Sequence, residues 1–361
     1  VKFLIPKSQL RMALDTVTSC VARTNTLPIL GNVLVEPIKG ALRISSSNLE
    51  VTQSIDIPLD GIEHANAWTA PAHKLKAIAA AAPSDEIACS VGENSFTLTS
   101  GSSRWRLPTL PVEQWPERQD SSGLQEIAIS AETLRRMIAT TLPAAAKNDV
   151  RFYLNGIHLE TKDGTLTACG TDSYRLHAAE ARGDYLDGID IIIPRQSAQI
   201  IESSLPTDGD ISFAYGPGRA LVSFPGATID TKLIDGKYPD WRRIIPSPKS
   251  VCRVDGKTLI KAIDRVSLTA NQHHEIRLDF KPDHIEVAAS SANDGESSDS
   301  VDAEYDGEPV VIGVNSVYMA EALATFGGVA RIGITDSNGS LLIEPTDSPT
   351  DMFAVVMPIR L

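Results

Sequence analysis

The sequence predicts an α+β protein made of three tandem repeats, each with two helices packed on antiparallel sheet. Three series of matching segments predict it. A strand, cap and amphipathic helix at 127–142 (IAISAETLRRMIATTL) recur at 3–17 (FLIPKSQLRMALDTV) and 252–266 (CRVDGKTLIKAIDRV). Positions 5–10, 129–134 and 254–259 match in residue type, a spacing of roughly 124 residues. A second series repeats 71–83 (PAHKLKAIAAAAP) at 194–206 (PRQSAQIIESSLP), with 314–326 (VNSVYMAEALATF) in the third place. A third closes the units, with Leu107 before Trp115-Pro116 and Leu233 before Tyr238-Pro239. One series alone fits three similar helices in a single large fold. Three series on one period fit three domains of roughly 120 residues: 1–120, 125–246 and 250–361.

Taken in order, the elements follow from pattern. In the 127–142 unit, Ile127 and Ile129 alternate like a strand, Ser130 is a fair N-cap, and Leu134, Met137, Ile138 and Leu142 share one helical face. The six helices expected are 7–19, 73–82, 131–142, 195–204, 257–268 and 315–326. Segments 42–54 and 96–107 alternate like half-buried strands, and the short turns between strands favour antiparallel pairing. Asn155-Gly156 suits a tight turn, 166–179 reads as a strand pair with a polar centre, and YGPG (215–218) reads as a turn. ERQDSSG (117–123) and SPKS (247–250) read as linkers. SSANDGESSDSVD (290–302) reads as a solvated acidic loop without the ligand spacing of a calcium site. FAVVMPIRL (353–361) reads as an apolar strand that must dock or form part of a site.

Net charge is −13, which argues against nucleic acid until its distribution is examined. The six helical segments carry a net +5, so the remainder must hold −18 for the chain to total −13. Helices on one shared surface would attract phosphate while the rest repels it. The competing account is that Lys and Arg are simply good residues for solvated helix faces. No apolar run of about 18 residues reads as a membrane span, and VKFLIPKSQL lacks a signal-peptide core. Cys20, Cys89, Cys169 and Cys252 are dispersed, which fits a reduced cytoplasmic protein with no metal or other cofactor.

Residue chemistry offers few catalytic candidates. Asp172, between Thr171 and Arg175, is either a general base for hydrolysis or a local acceptor in a turn. His273-His274 would need a third metal ligand that the sequence does not place nearby. Arg242-Arg243, after Pro239-Asp240-Trp241, is either a phosphate or partner site or a pair of solubility charges. YGPGR (215–219) lacks the strand and helix that frame a phosphate loop.

Several stretches together resemble the bacterial sliding clamp family, the beta subunit of DNA polymerase III: TLPILGN (26–32), RFYLNG (151–156), TDSYRL (171–176), LIDGKYPDWRRIIP (233–246) and VVMPIRL (355–361). The likeness runs from end to end. It implies a head-to-tail homodimeric ring of three DNA-clamp domains per chain, with helices lining the hole and sheets outside. It implies no catalysis, although the family is often filed with DNA-directed DNA polymerase. The expected role is a processivity factor that encircles double-stranded DNA without sequence preference and tethers a polymerase. Inner-face candidates are Lys7, Arg11, His73, Lys74, Arg135, Arg136, Arg195, Lys257, Lys261 and Arg265. Arg23, Asn148, Phe152 and Tyr153 match the family's DNA-touching loop positions.

The resemblance also implies a groove for linear motifs of the replicative polymerase alpha subunit, clamp loader, translesion polymerases, mismatch-repair proteins and ligase. Its positions here are Leu154, Thr171, Ser173, Tyr174, Arg175, Leu176, Pro239, Arg243 and Ile244. The last domain adds His273, Asn315, Tyr318, Asn338, Ser340, Val355, Val356, Met357, Pro358, Ile359, Arg360 and Leu361. Trp105, Leu107, Ser267 and Leu268 match subunit-interface positions. Ser173 replaces the usual Gly and Tyr174 the usual His. His273, Asn338 and Ser267 stand where apolar residues are common, which makes the groove more polar and alters the interface. The competing reading is a scaffold that binds protein motifs without encircling DNA.

Overall fold

The computed structural model describes residues 2–22, 26–62, 64–117, 121–185, 187–346 and 352–360. Among them lie six α-helices: α1 (Lys7–Val17), α2 (Ala72–Ala81), α3 (Ala131–Thr141), α4 (Arg195–Ser204), α5 (Gly256–Val266) and α6 (Ser316–Phe326). Each follows directly on a strand: Lys2–Pro6, Trp68–Pro71, Gln125–Ser130, Asp190–Pro194, Ser250–Asp255 and Val310–Asn315. The strand–helix unit therefore occurs twice per sequence repeat.

Helix α5 shows why these segments fold as they do. Leu259, Ala262, Ile263 and Val266 are buried at helical spacing. Asp255 Oδ1 accepts the Thr258 backbone N–H at 2.8 Å, satisfying one of the amides a helix start leaves open. The Asn315 side-chain oxygen accepts from Val317 and Tyr318 backbone amides at the start of α6, at 3.0 and 3.1 Å. These caps correct two expected bounds: Asn315 is the cap rather than the first helical residue, and Ser267–Thr269 form a separate 3-10 turn after α5.

The chain divides into two compact units, Val1–Glu132 with Ile200–Leu233, and Thr133–Gln199 with Ile234–Leu361. The first holds a four-stranded sheet (Lys2–Pro6, Glu86–Val91, Ser95–Ser100, Ser103–Pro108) and an eight-stranded one. The second holds a twelve-stranded sheet. Every strand pair described is antiparallel. The central repeat gives strands to both units, because sheet pairing continues from one repeat into the next. Val51–Pro58 of the first repeat pairs with Ala227–Lys232 of the second. Arg175–Tyr185 of the second pairs with Met352–Val356 of the third, Arg175 opposite Val356.

Segment 290–302, expected as a loop, is instead most of a hairpin between His284–Ser291 and Gly295–Tyr305. Its polarity misled because the half-buried positions of 295–300, Ser297 and Asp299, are polar, while Val301, Ala303 and Tyr305 continue the alternation inward. The expected 353–361 strand is Met352–Val356, after which the chain runs on as a tail.

In the first unit α1 packs on α2 over Ile5, Leu14, Leu75 and Phe96; in the second α5 packs on α6 over Phe280, Ile263 and Leu323. Phe280 is fully buried, its ring centroid 5.9 Å from that of Tyr305. Phe280→Ala is expected to cost about 3–5 kcal/mol in the second unit, read from urea unfolding. The four cysteines are free and buried. Among the described residues no helix is long and apolar enough to cross a membrane.

Candidate functional site

Strand Gly164–Thr171 turns through Asp172, Ser173 and Tyr174 into Arg175–Tyr185. Asp172 Oδ1 accepts the Tyr174 and Arg175 backbone amides at 3.0 and 3.1 Å, and Oδ2 accepts Arg175 Nε at 3.1 Å. Its oxygens are committed to holding the turn, the role of a local acceptor. Ser173 takes φ = 77°, in the left-handed region that glycine occupies at less cost. Because Arg175 lies opposite Val356, the chain end is delivered to this hairpin. Met357 N–H then donates to Tyr174 O at 3.0 Å, and Ile359 N–H to Gly313 O at 2.7 Å, on the strand leading into α6. Ser340 Oγ donates to Met357 Sδ at 3.0 Å.

Arg175 anchors the hairpin from below. Its buried guanidinium bonds Asp172, Glu321 and the Pro143 carbonyl (2.8 Å), and lies 4.4 Å from the Tyr318 ring centroid. Tyr318 in turn stacks on Tyr174, 6.4 Å between centroids. Leu154, Leu176 and Val355 are buried in one cluster with Tyr238 and Trp241, which fixes the Pro239–Ile244 turn beside them. Arg243 is exposed and pairs with Asp240 at 2.7 Å, whereas Arg242 bonds Glu160 and covers the Trp241 ring. Asn315 Nδ2 donates to His273 O at 3.0 Å, placing His273 at the start of α6. Asn338 lies in the turn before Ser340.

The second unit thus gathers the expected groove positions around one hairpin and one tail. Arg360 is exposed, and Leu361 lies outside the described residues. Tyr174 (63%), Val317 (39%) and Ile244 (36%) leave apolar surface open. Apolar walls with backbone and hydroxyl anchors suit an extended peptide. The sequence reading missed Glu321 and Gly313. Glu321 was findable, three residues after Tyr318 on one helical face. Gly313 had no signal, since only the tertiary path of the tail brings it close.

The inner-face candidates divide by their bonds. Lys7 Nζ donates to the Ala82 carbonyl, and Arg11 pairs with Asp15 at 3.7 Å. Asp15 also receives Lys76 at 3.0 Å, a cation the sequence reading passed over. Arg195 bonds the Leu142 and Ala145 carbonyls, closing the end of α3, and burial lowers its pKa. Arg265 is held by Asp299 at 2.6 Å. Arg136 reaches the Glu180 carbonyl at 3.5 Å, and Arg135 beside it is half-buried. His73, Lys74, Lys257 and Lys261 are exposed, and the three lysines make no ion pair or hydrogen bond among the described residues.

Arg23 lies outside the described residues. The other loop candidates sit on a braced segment. Asn148 takes φ = 61°. Asp149 receives Arg151 through both oxygens, at 3.0 and 2.7 Å, and these hydrogen bonds hold its carboxyl down to about 2. Arg151 Nη1 also donates to Ser173 Oγ at 2.8 Å, tying this loop to the groove hairpin. Phe152, 55% exposed, packs edge-on against Tyr153. Of the expected interface positions, Leu268 is 82% exposed and Trp105 and Ser267 are half-buried. Leu107 is buried in the core of its own unit.

One group beneath the groove predicts a pH response. His177, fully buried on Arg175–Tyr185, donates from Nδ1 to Thr140 O at 2.9 Å, and its Nε2 has no partner among the described residues. Burial pushes its pKa down to about 4. Below its ordinary value of about 6.5 the unfolded chain takes up a proton that the folded chain refuses, so stability falls between pH 6.5 and 4. Wild type is expected to lose about 2 kcal/mol between pH 7 and 5 beyond any loss in His177→Phe, measured by urea unfolding.

The repeated strand–helix units, the sheet pairing that runs from repeat to repeat, and the hairpin that receives the chain's own tail define a clamp-type protein. Comparison with known proteins names the family. Models of the N-terminal, central and C-terminal domains of DNA polymerase III beta subunit match residues 1–119, 128–240 and 242–360. The beta sliding clamp of Pseudomonas aeruginosa is 31% identical, covering 99% of this chain and 100% of the relative; that of Vibrio cholerae is 29% identical, covering 100% of both. The crystal structure of DNA polymerase III subunit beta from Pseudomonas aeruginosa superposes with a TM-score of 0.94 over the whole of both chains at 31% identity. Another from that organism, bound to griselimycin, gives 0.94 over 100% of this chain and 99% of that one at 31% identity. The chain belongs to the DNA polymerase III beta subunit family, the beta sliding clamps.

Proposed function

We propose that two copies of this chain close head to tail into a ring around duplex DNA, and that the groove tethers polymerase and other replication and repair proteins by linear motifs. One observation carries the ring. Each junction between successive repeats is an antiparallel strand pair: Val51–Pro58 with Ala227–Lys232, and Arg175–Tyr185 with Met352–Val356. The repeat leaves one unused strand of each kind. Among the described residues Ser103–Pro108 is a sheet edge, paired only with Ser95–Ser100. Gly295–Tyr305 pairs with Ser250–Asp255 only through residues 303–305, so its first half is open on that side. Joining them between two copies makes a third junction of the same type and closes six domains without a free edge. The domain bounds 1–120, 125–246 and 250–361 belong to this reading.

The ring acts by topology and catalyses nothing. Lys74, Lys257 and Lys261 on exposed helix faces offer few phosphate contacts, so attraction to DNA is weak and sliding is easy. The acidic remainder disfavours DNA elsewhere on the protein. The setting is the cytoplasm, where the buried thiols stay reduced. A scaffold that only binds motifs would not distinguish DNA topology. Loaded clamp is expected to stay on nicked circular DNA through gel filtration and to leave when one cut linearises it. Lys257→Glu with Lys261→Glu is expected to lower loading at least tenfold; unchanged loading and equal retention on linear DNA would sink the ring.

A further inference from the structure

The first unit contains a cavity of about 720 Å³ that shares no lining residue with the groove positions or the α-helices. It forms where the turn after Glu86–Val91, the segment after Ser103–Pro108 and the entry to Trp68–Pro71 meet. Its floor is apolar: Trp68 is buried, and Leu110 and Val112 are half-buried. Its rim is exposed and carries Glu93, Glu113, Asn66 and Asn94, with no basic residue among the described lining residues.

The walls are fixed. Thr69 Oγ1 accepts the Leu110 N–H at 2.8 Å and donates to the Leu110 carbonyl at 2.9 Å, while Asn32 Nδ2 donates to the same hydroxyl at 3.0 Å. Trp68 is braced by Phe3 and Phe96, with centroids 5.8 and 5.5 Å away. Its buried indole N–H has no acceptor among the described residues.

We propose that this cavity is a second docking site, separate from the groove, for a basic and aliphatic peptide segment of a partner protein. The charge is one-sided: two carboxylates and no cation favour a Lys or Arg side chain. The apolar floor favours an aliphatic neighbour beside it. The two primary amides on the rim each supply donor and acceptor, which matches the main chain of an extended peptide. A polyamine would use the carboxylates and leave the floor and amides idle. The volume falls in the range of ligand pockets.

The test uses fluorescein-labelled Gly-Leu-Arg-Leu-Lys-amide and the full chain, read by polarisation. Saturable binding is expected, weakened at least tenfold in E93Q/E113Q and by raising NaCl from 50 to about 500 mM. Gly-Leu-Glu-Leu-Glu-amide should not bind, and a Gln-Leu-Ser-Leu-Phe groove peptide should not compete. Asn94→Arg puts a cation on the exposed rim and should abolish binding while the thermal midpoint holds. No binding, equal binding by E93Q/E113Q, displacement by the groove peptide, or spermidine competing as tightly as the peptide would each overturn the proposal. Because the groove peptide is measured in the same experiment, failure here leaves the groove reading intact.

Discussion

Removal of residues 357–361 is expected to weaken capture of a Gln-Leu-Ser-Leu-Phe peptide at least 100-fold, about 3 kcal/mol, with little change in thermal midpoint. In the proposed groove the tail forms one wall, while it contributes little to the fold. Among the described residues its bonds to the body are Met357 N–H to Tyr174 O, Ile359 N–H to Gly313 O and the Ser340 hydroxyl to Met357 Sδ. Strand Met352–Val356 stays paired on both sides without them, to Arg175–Tyr185 and Leu341–Pro345. Loss of the tail therefore removes one wall and uncovers the Gly313 edge, leaving the sheet whole. Polarisation with the intact and shortened chains gives the ratio. Equal affinities would place peptide capture elsewhere, and a collapse of the thermal midpoint would make the tail a structural strap.

The other junction shows why a groove forms here. In the first unit Leu49 takes φ = 75° at the hairpin where Ser173 takes 77°. Lys232 N–H donates to Glu50 O at 2.9 Å, the counterpart of Met357 N–H to Tyr174 O. The backbone is the same, but Lys232 Nζ also pairs with Glu50 Oε1 at 3.1 Å and the chain continues into the next repeat. A hydrated ion pair and a committed chain offer no apolar cleft. Where the strand instead ends in a short tail beside Tyr174 and Tyr318, aromatic surface stays open for a partner.

Much of this was legible in the sequence, because the helix stripes, their caps and the three parallel series are local signals. The pattern at 254–266 contains both the Asp255 cap and the buried face of α5. What local pattern lacked was sheet pairing across repeats. Nothing in Val51–Pro58 names Ala227–Lys232 as its partner, so three sequence repeats fold as two compact units. Strand 295–305 was hidden because the inward positions of its first half are polar: Ser297 bonds the Val266 carbonyl and Asp299 bonds Arg265. Bond commitments were hidden too: Arg195 and Arg265 read as free inner-face cations, yet one closes the end of α3 and the other is held by Asp299.

Reversal of the charge on the open edge strand is expected to have the second large effect. Arg104 and Arg106 are exposed on Ser103–Pro108. The strand proposed to meet it carries Glu296, Asp302 and Glu304 at exposed positions, with Asp299 tied to Arg265. Edge strands with opposite charge attract each other and reject copies of themselves, which sets head against tail. R104E/R106E places like charges across that junction and is expected to raise the dimer dissociation constant at least 100-fold in sedimentation equilibrium. Retention on circular DNA should fall with it, while peptide capture, which needs only the second unit, should persist. A copy with Glu296→Lys and Asp302→Lys should re-pair with the R104E/R106E copy. Leu268, 82% exposed, would lie beside that contact and add an apolar share that salt does not screen. Wild-type dimer should therefore weaken with salt without dissociating fully, and an R104E/R106E chain that still dimerises as tightly as wild type would mean that the ring closes through another pair of surfaces.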